Sequence, residues 1–454
     1  MKTSPFQIRL IAGALAALAT IPAAWADDLL SVYREAQSND ATFAAARFAL
    51  EAGREQINQA KSQLLPSVGL AAKANQIVGA YDPGHAEPML GIAKRNYHGT
   101  SSNLAVQATQ PLYRPQNNVV VDQANSAVSL AELQYKGAEQ QLILRVAQAY
   151  LDVLQARDAV TTATAQKEAF SEQLAQAKKR FQVGVATITD TYEAQSRYDL
   201  TSAQEIAARN DLIIKTNALT QLTGKQPGWL ASVDPKMKPQ QPSPASLDSW
   251  LQKALSSNVQ LQAQAEQEKV ARYEVQRNKD AHKPTLDLVG SVGNTWDMNG
   301  IAKNGGTDQT RNGSIGLQFS MPLYTGGGLS SKDREAAAKY EQAKMETEAK
   351  RREIEQQTKS AYLGMTNGAA QVNALEQALV SSQSQLDATK TGQQVGVRTN
   401  VDVLNAQQQF YESRLNLQKA RYAYLLASLQ LAAAAGELSD SHLQAINGQL
   451  VAKQ

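Results

Sequence analysis

The chain has 454 residues, with 45 lysines and arginines against 42 aspartates and glutamates, and its formal charge at pH 7 is +3. So small a net charge gives no support for nucleic-acid binding, which needs a clustered basic surface. The chain contains no cysteine, which excludes disulfide frameworks, zinc–thiolate sites, thiol catalysis and lipidation of a processed N-terminal cysteine.

The N-terminal segment, residues 1–26, is predicted to be a secretory signal peptide. Lys2 and Arg9 precede an apolar run, and residues 24–26 (Ala-Trp-Ala) provide a small-residue cleavage site. The apolar run is too short for a membrane-spanning helix, which needs about 20 residues. We therefore expect an exported protein, and the lack of cysteine suits a bacterial envelope protein that needs no disulfides.

The rest of the chain is predicted to comprise two structural repeats, residues 27–240 and 241–454. Two pairs of segments recur in the same order in the two halves: residues 183–195 (VGVATITDTYEAQ) with 395–407 (VGVRTNVDVLNAQ), and 110–113 (QPLY) with 321–324 (MPLY). Seven positions are identical in the longer pair. A linker between the halves is predicted where prolines cluster, at positions 235, 239, 242 and 244.

Each half is predicted to contain one β-hairpin, at about residues 65–114 and about 283–325. Side chains there alternate between apolar and small or polar, which is the period of a strand. The apolar positions are Val68, Leu70, Ala72, Ala74, Leu104, Val106, Ala108, Leu286, Leu288, Gly290, Val292, Ile315, Leu317, Phe319 and Met321. Hairpin tips rich in glycine, asparagine and aspartate are expected around residues 77–98 and 298–312.

The alternation, with Tyr113, Trp296 and Tyr324 near the strand ends, is typical of transmembrane barrel strands flanked by aromatic girdles. From the strands alone, a soluble sheet that caps the helices is an equal alternative, and the signal peptide favours the barrel. Four strands cannot close on themselves, because bacterial barrels begin at about eight strands. A barrel would therefore have to be shared between chains.

Long α-helices are predicted in the proline-free tracts 116–226 and 323–454. Proline in a helix interior costs about 3 kcal/mol, and both tracts are rich in residues that favour helices. Their core positions advance by alternating steps of four and three, which predicts coiled-coil packing. The predicted positions are Leu142, Val146, Ala149, Val153, Ala156, Val160, Ala163, Lys167, Phe170, Leu174, Ile354, Thr358, Ala361, Met365, Gly368, Val372, Leu375, Leu379, Ser382, Leu386, Leu404, Gln408, Tyr411, Leu415, Gln418, Tyr422, Leu425 and Leu429. A helix of about 65 residues would be roughly 100 Å long.

A Val-Gly-Val turn is predicted to join the long helices in each half. The turn residues are Val183, Gly184, Val185, Val395, Gly396 and Val397. Each turn is followed by Thr-x-x-Asp, at residues 187–190 and 399–402, a capping box that satisfies free N–H groups at a helix start. Arg398 has Ala186 as its counterpart in the first half, which suggests a tether on one side only.

No catalytic, metal-binding or cofactor-binding site is predicted, and the chain is not expected to be an enzyme. The histidines are isolated from one another, at His85, His98, His282 and His442. Gly326–Gly328 lacks the Gly-Lys-Ser/Thr sequence of a phosphate-binding loop and is interpreted as a tight junction between a strand and a helix.

The duplicated turn sequences, the proline-bounded hairpins and the Pro-Leu-Tyr strand ends resemble the TolC family of trimeric outer-membrane export ducts. The resemblance implies a mainly α fold with a transmembrane β part. In this homotrimer, four strands from each chain form a twelve-stranded β-barrel. The barrel continues into a long periplasmic α-helical barrel, with a mixed belt near residues 225–250 and the C-terminus. The lack of cysteine favours the branch without a lipid anchor.

The resemblance also implies a passive exit duct of a tripartite efflux pump or type I secretion system. Such a duct lies in the bacterial outer membrane and extends into the periplasm. Its implied partners are further copies of itself, a periplasmic adaptor (membrane fusion) protein, an inner-membrane ABC or RND-type transporter, and outer-membrane lipid. Neither the cargo nor the particular adaptor is specified by the sequence.

In this family the Val-Gly-Val turns are periplasmic tips where the adaptor docks and the pore closes. The resemblance implies that Arg398 matches an arginine that holds a tip shut, with Thr189 and Asp190 as its partners on the neighbouring turn. Gln393 stands where a related duct has a tyrosine bonded to the equivalent of Asp190. This departure suggests either that closure of the pore depends more on Arg398 or that the closed duct is more permeable.

The resemblance further implies a pore constriction at the tips. Asp402 matches the first of two constricting carboxylates, and the second falls on Asn405. The selectivity ring would then have three carboxylates per trimer instead of six.

The alternative interpretation is a non-channel periplasmic coiled-coil adaptor or scaffold, with the hairpins as soluble caps. An adaptor needs an inner-membrane anchor or a lipid, and the sequence shows neither.

Overall fold

The computed structural model describes residues 27–82, 84, 95–298 and 307–451. The predicted signal peptide, His85 and about half of the residues of the predicted hairpin tips lie outside these residues. The described helices are α1 (Leu29–Asn39), α2 (Ala41–Ser62), α3 (Pro115–Gln182), α4 (Ile188–Thr223), α5 (Leu247–Ser257), α6 (Val259–Asp280), α7 (Gly328–Gln394), α8 (Asn400–Ala434) and α9 (Asp440–Asn447). The described strands are β1 (Ser67–Tyr81), β2 (Arg95–Tyr113), β3 (Ser232–Val233), β4 (Thr285–Met298), β5 (Thr307–Ser320) and β6 (Leu450–Val451).

The two predicted hairpins are β1–β2 and β4–β5, and they join into one antiparallel sheet in the order β1-β2-β4-β5. The hairpins meet where β2 pairs with β4, with Val106 opposite Val292. At the next pair, Gly293 lies opposite Ala105. The two residues are so close that a Cβ on the glycine would lie 2.9 Å from the alanine Cβ. Pairing of β1 with β2 continues to Tyr81 opposite Arg95, so these strands run further than the sequence predicted.

The two faces of the sheet differ in chemistry, as the alternation predicted. The strand register places the large apolar residues on one face: Val68, Leu70, Leu104, Val106, Leu288, Val292, Ile315, Leu317 and Phe319. Several of these are largely accessible, with Leu70 71% and Ile315 79% exposed. The opposite face carries small or polar residues: Gly69, Ala71, Lys73, Asn103, Ala105, Gln107, Ser291, Gly293, Thr295, Asn312, Ser314 and Gly316.

Helices α3 and α7 contain 68 and 67 residues, which confirms the predicted long helices. Helix α3 begins at a proline, whose missing N–H is not needed in the first turn. About half of the predicted coiled-coil positions are buried, and Leu142, Val146, Phe170, Ile354, Thr358, Val372, Leu404 and Leu425 are each no more than 1% exposed. The others, such as Lys167 and Leu379, are half-buried. Ile143 and Tyr150 of α3 are buried although the spacing did not predict them. Helix α8 buries a wider face than predicted, including Val403 and Leu417. No helix among the described residues is both long and apolar enough to cross a membrane.

The chain divides into two compact units. One contains the described residues up to Arg47, Lys136–Val259 and the chain from Arg351 onwards, and the other contains Phe48–Tyr135 and Gln260–Lys350. Each unit takes segments from both predicted repeats. The repeats 27–240 and 241–454 therefore stay a prediction about duplication of the sequence.

Within the first unit, the segment after α4 packs against the C-terminal residues through the short β3–β6 pair. The buried Tyr150 hydroxyl of α3 contacts the carbonyl oxygens of Ala231 (2.9 Å) and Asp27 (3.1 Å). The Tyr424 hydroxyl of α8 donates to the carbonyl of Gln240 (2.9 Å). These contacts form the mixed region expected near residues 225–250 and the C-terminus.

Candidate functional site

The candidate site consists of two turns, each of which follows a long helix. These turns are the tips, residues 183–190 and 395–402. Gly184 and Gly396 adopt φ values of 76° and 83°, a left-handed conformation that favours glycine because it has no Cβ. The amide of Val185 donates to the carbonyl of Arg180, and that of Val397 donates to Gly392, both at 2.9 Å. These bonds satisfy carbonyls that would otherwise be free at the helix ends.

Both predicted capping boxes are present. At the first tip, Asp190 Oδ2 accepts from the Thr187 amide (3.0 Å) and hydroxyl (2.8 Å). At the second, Asp402 Oδ2 accepts from the Thr399 amide and hydroxyl, both at 2.9 Å. The bonds from Thr399 lower the pKa of Asp402, and the charge of Arg398 adds to the effect. Asp402 is therefore ionised at neutral pH, at the start of α8.

The valines of the two turns are exposed. Val183, Val185, Val395 and Val397 are between 69% and 76% accessible. Each tip thus presents apolar side chains beside a carboxylate, a combination suited to contact with another protein.

The side chain of Arg398 packs over the last turn of α7. A Cβ placed on Gly392 would lie 2.8 Å from Arg398 Cγ, so the glycine makes room for the arginine. Within the described residues of the single chain, the Arg398 side chain forms no ion pair. The structure does not join it to Thr189 or Asp190, and the tether between neighbouring turns stays a prediction.

Gln393 and Asn405 both bind residues that the sequence did not indicate. Gln393 Nε2 donates to Asn400 Oδ1 (3.1 Å), across its own turn. Asn405 Oδ1 accepts from Arg197 Nη2 of α4 (3.0 Å). Sequence reasoning missed Arg197, although its position seven residues after Asp190 places both side chains on the same face of α4.

His282, Gly326 and Gly327, for which no chemical role is predicted, lie outside the two tips. No group of three or more His, Asp or Glu residues in the described ranges could hold a metal ion. His282 Nε2 lies within hydrogen-bond distance of Asp333 Oδ2 (2.8 Å). Gly326 and Gly327 adopt φ values of 62° and 82° just before α7, as expected for a tight junction between strand and helix.

Comparison with known proteins identifies the family. The family model described as "Outer membrane efflux protein" matches residues 32–225 and 250–437. Outer membrane protein TolC of Vibrio cholerae serotype O1 is 34% identical over 441 residues, covering 97% of this chain and 98% of that protein. Alkaline protease secretion protein AprF of Pseudomonas aeruginosa is 31% identical over 438 residues, covering 94% and 88%.

A solved structure shows the same fold. The outer membrane protein VceC of Vibrio cholerae superposes with a TM-score of 0.73 at 19% identity, covering 90% of this chain and 96% of that one. The fold is that of TolC-like channels, mainly α with long helices and a four-stranded sheet in each chain.

These proteins are channels and secretion proteins and not enzymes, and they give no support to a non-channel adaptor or scaffold. The match of the family model extends over both halves of the chain, and the TolC relative is similar over almost its whole length. The chain therefore belongs to the outer membrane efflux protein family, as an outer-membrane exit duct for efflux or type I secretion that extends into the periplasm.

Proposed function

We propose that three copies of this chain form one duct, with each four-stranded sheet contributing to a shared barrel. Channels of the TolC family are trimers that work with adaptor proteins and inner-membrane transporters. Within the described part of one chain, β1 and β5 each pair on one side only, and such edges readily pair with another chain. The apolar face of the sheet would contact outer-membrane lipid, and the polar face would line the passage.

The two tips form the periplasmic end of the proposed duct. The observation that carries this role is the pair of capping boxes, which hold Asp190 and Asp402 at helix starts just beyond exposed glycine turns. In a trimer, three Asp402 carboxylates would surround a narrow opening. A ring of carboxylates concentrates cations because low-dielectric walls focus its field. Asn405 adds no charge to this ring.

Arg398 is proposed to hold the tips together. Its guanidinium has five N–H donors and would bind Thr189 and Asp190 on a neighbouring turn. Gln393 contributes less to closure, because its amide is bound to Asn400. Asp190 remains available as an acceptor, since a carboxylate accepts several bonds and one oxygen takes both bonds from Thr187.

The exposed valines of the turns are proposed to dock a periplasmic adaptor (membrane fusion) protein. The residues are Val183, Val185, Val395 and Val397, with Gly184 and Gly396 shaping the turns. Through the adaptor, the duct would receive cargo from an inner-membrane ABC or RND-type transporter. The name of the relative AprF describes secretion of alkaline protease, so proteins are one proposed class of cargo, beside small molecules.

Cation selectivity tests the proposed constriction. In planar bilayers, Asp402→Ala should lower the cation-to-anion permeability ratio of the purified trimer towards that of an uncharged pore. Asp402→Asn is the matched variant, because it removes the charge and keeps an acceptor for Thr399. Because the pKa of Asp402 is lowered, the wild-type preference should persist down to about pH 4, near the ordinary pKa of aspartate. An unchanged permeability ratio in both variants would remove Asp402 as the filter.

A further inference from the structure

Arg197 of α4 contacts two residues of α8 on one helix face. Its Nη2 donates to Asn405 Oδ1 (3.0 Å), and its Nη1 donates to Gln408 Oε1. Asn405 and Gln408 are three residues apart and therefore neighbours on the surface of α8. The planar guanidinium matches such a pair of acceptors, because its N–H groups form a rigid fork.

The amide of Gln408 is oriented by bonds at both ends. Its oxygen accepts from Arg197, and its Nε2 donates to Glu412 Oε1 (2.8 Å). An amide held in this way cannot rotate without losing both bonds. Arg197, Gln408 and Glu412 also line a cavity of about 270 Å³ beside Phe170 and Tyr411, so the contact adjoins space into which side chains can move.

The contact lies just beyond the capping boxes of both tips. Arg197 follows Asp190 by seven residues on α4, and Asn405 follows Asp402 by three on α8. At about 1.5 Å per residue, these distances are roughly 10 Å and 5 Å along the two helices. The bond therefore joins α4 to α8 close to the proposed constriction. Asn405, which supplies no charge to the carboxylate ring, supplies an acceptor to this bond.

We propose that Arg197 is a positioning residue of the gate, a latch within one chain that holds α8 against α4 in the closed tip. This inference rests on the proposed function of the tips as the gate. Widening the proposed opening would require helices at the tip to separate, and a bond that this separation breaks would favour the closed arrangement. The acceptors of the latch are neutral amides, so its strength depends little on the protonation of either acceptor.

Removing the latch should open the duct. For purified Arg197→Met trimers in planar bilayers, we expect about a tenfold higher ratio of open to closed time, consistent with loss of hydrogen bonds to a charged group. Arg209→Met is the matched control, because Arg209 lies on the same helix and pairs with Glu205 of that helix; its gating should equal the wild type. Equal gating in Arg197→Met and wild type would overturn the latch.

A double-mutant cycle separates the contact from a general charge effect. Gln408→Leu removes one acceptor of Arg197 and leaves the charge of the constriction unchanged, so openings should become more frequent. In the Arg197→Met background the same change should add little to the open time. Additive effects of the two changes would overturn a direct contact.

Failure of the latch can be distinguished from failure of the proposed gate. If Arg398→Ser opens the channel and Asp402→Ala changes its selectivity, but Arg197→Met gates as wild type, only the latch is rejected. If neither tip variant alters conduction, the gate and its latch are both rejected. Arg197→Lys keeps the charge with a single donor group, and its intermediate gating would exclude a folding defect as the cause of the Met phenotype.

Discussion

At the residue scale, the first unit contains a buried carboxylate with three kinds of donor. Glu205 of α4 is 6% exposed and accepts bonds from Lys167 of α3 (2.8 Å), Arg209 (2.9 Å) and Thr164 (3.2 Å). The bond from Lys167, with those from Arg209 and Thr164, lowers the pKa of Glu205 to about 2. The ionised form of Glu205 therefore joins α3 to α4 across the whole neutral and mildly acidic range.

The depressed pKa of Glu205 predicts a pH-dependent stability. An unfolded glutamate has a pKa of about 4.3, so the stabilisation is complete above that value and lost as pH falls towards about 2. Glu205→Gln should therefore lose less stability than the wild type over this acidic range, measured by thermal unfolding followed with circular dichroism. Glu168→Gln, at an exposed position of α3, should follow the wild type. Parallel profiles for Glu205→Gln and wild type would show that Glu205 does not carry the effect.

The proposed tether of Arg398 predicts a leaky channel when it is removed. Arg398→Ser takes away the guanidinium that would bind Thr189 and Asp190 of a neighbouring turn, so the tips should separate more readily. Single-channel conductance should rise, and whole cells should become more sensitive to large antibiotics. Lys390→Ser removes a positive charge from an exposed site near the end of α7 and serves as the control. A conductance equal to that of the control would reject the tether.

At the element scale, the end of α8 packs closely against the end of α5. Gly436, at φ 74°, follows the last turn of α8, and a Cβ there would lie 2.1 Å from the carbonyl oxygen of Ser257. Asn258 Nδ2 donates to the carbonyl of Ala434 (2.9 Å), which satisfies a free carbonyl of α8. The two helix ends can approach this closely only because position 436 has no side chain.

This close approach predicts a large effect of one methyl group. Gly436→Ala should destabilise the protein by about 2–5 kcal/mol, from a left-handed backbone and from steric overlap. Gly448→Ala is the control, because φ there is −64° and the nearest atoms are at ordinary contact distance. That change should leave stability within about 1 kcal/mol of the wild type. Similar denaturation midpoints for the two variants would contradict the predicted overlap.

Local features of the elements were predictable from the sequence. Proline marks the first residue of α3, the heptad steps give one stripe of buried and half-buried positions, and the Thr-x-x-Asp segments form capping boxes. Each of these features depends on residues close together in the chain, so the local sequence is enough to predict it.

Contacts between elements were not predictable in the same way. The bond from Arg197 to Asn405 depends on how α4 and α8 are rotated about their axes, which periodicity alone does not determine. The wide buried face of α8 likewise reflects packing against several helices. The clearance at Gly436 depends on the end of α5, remote in sequence. Heptad spacing identifies one contact stripe but not how many neighbours a helix has.

At the scale of the whole molecule, the sheet separates two environments. Its apolar face is exposed in the single chain, with Ile315 79% accessible, and an outer-membrane protein can cover such a face with lipid. The neighbouring Ser314 points to the other face, where its hydroxyl contacts that of Ser291 (2.9 Å). Ser314 and Ile315, which are adjacent in β5, therefore lie on opposite faces of the sheet.

The two faces should respond differently to a charge. Ile315→Arg would place a guanidinium in lipid, at a cost of about 2–4 kcal/mol near the bilayer centre, and should reduce the amount of trimer recovered from the outer-membrane fraction. Ser314→Arg would face the water-filled passage and should assemble normally with a lowered conductance. Equal recovery of the two variants would contradict the assignment of the apolar face to lipid.

The close contact of Gly293 with Ala105 shows how little volume the side chains occupy on the polar face of the sheet, and this affects how the sheet can curve. Small residues such as Gly69, Ala105 and Gly293 occupy the polar face, whereas leucine, isoleucine and phenylalanine occupy the other. A sheet whose two faces differ in side-chain volume bends most easily with the smaller side chains on the concave surface, where neighbouring side chains converge. The unequal side-chain volumes of the two faces thus favour, within a single chain, the bend that the proposed closure with further copies would require.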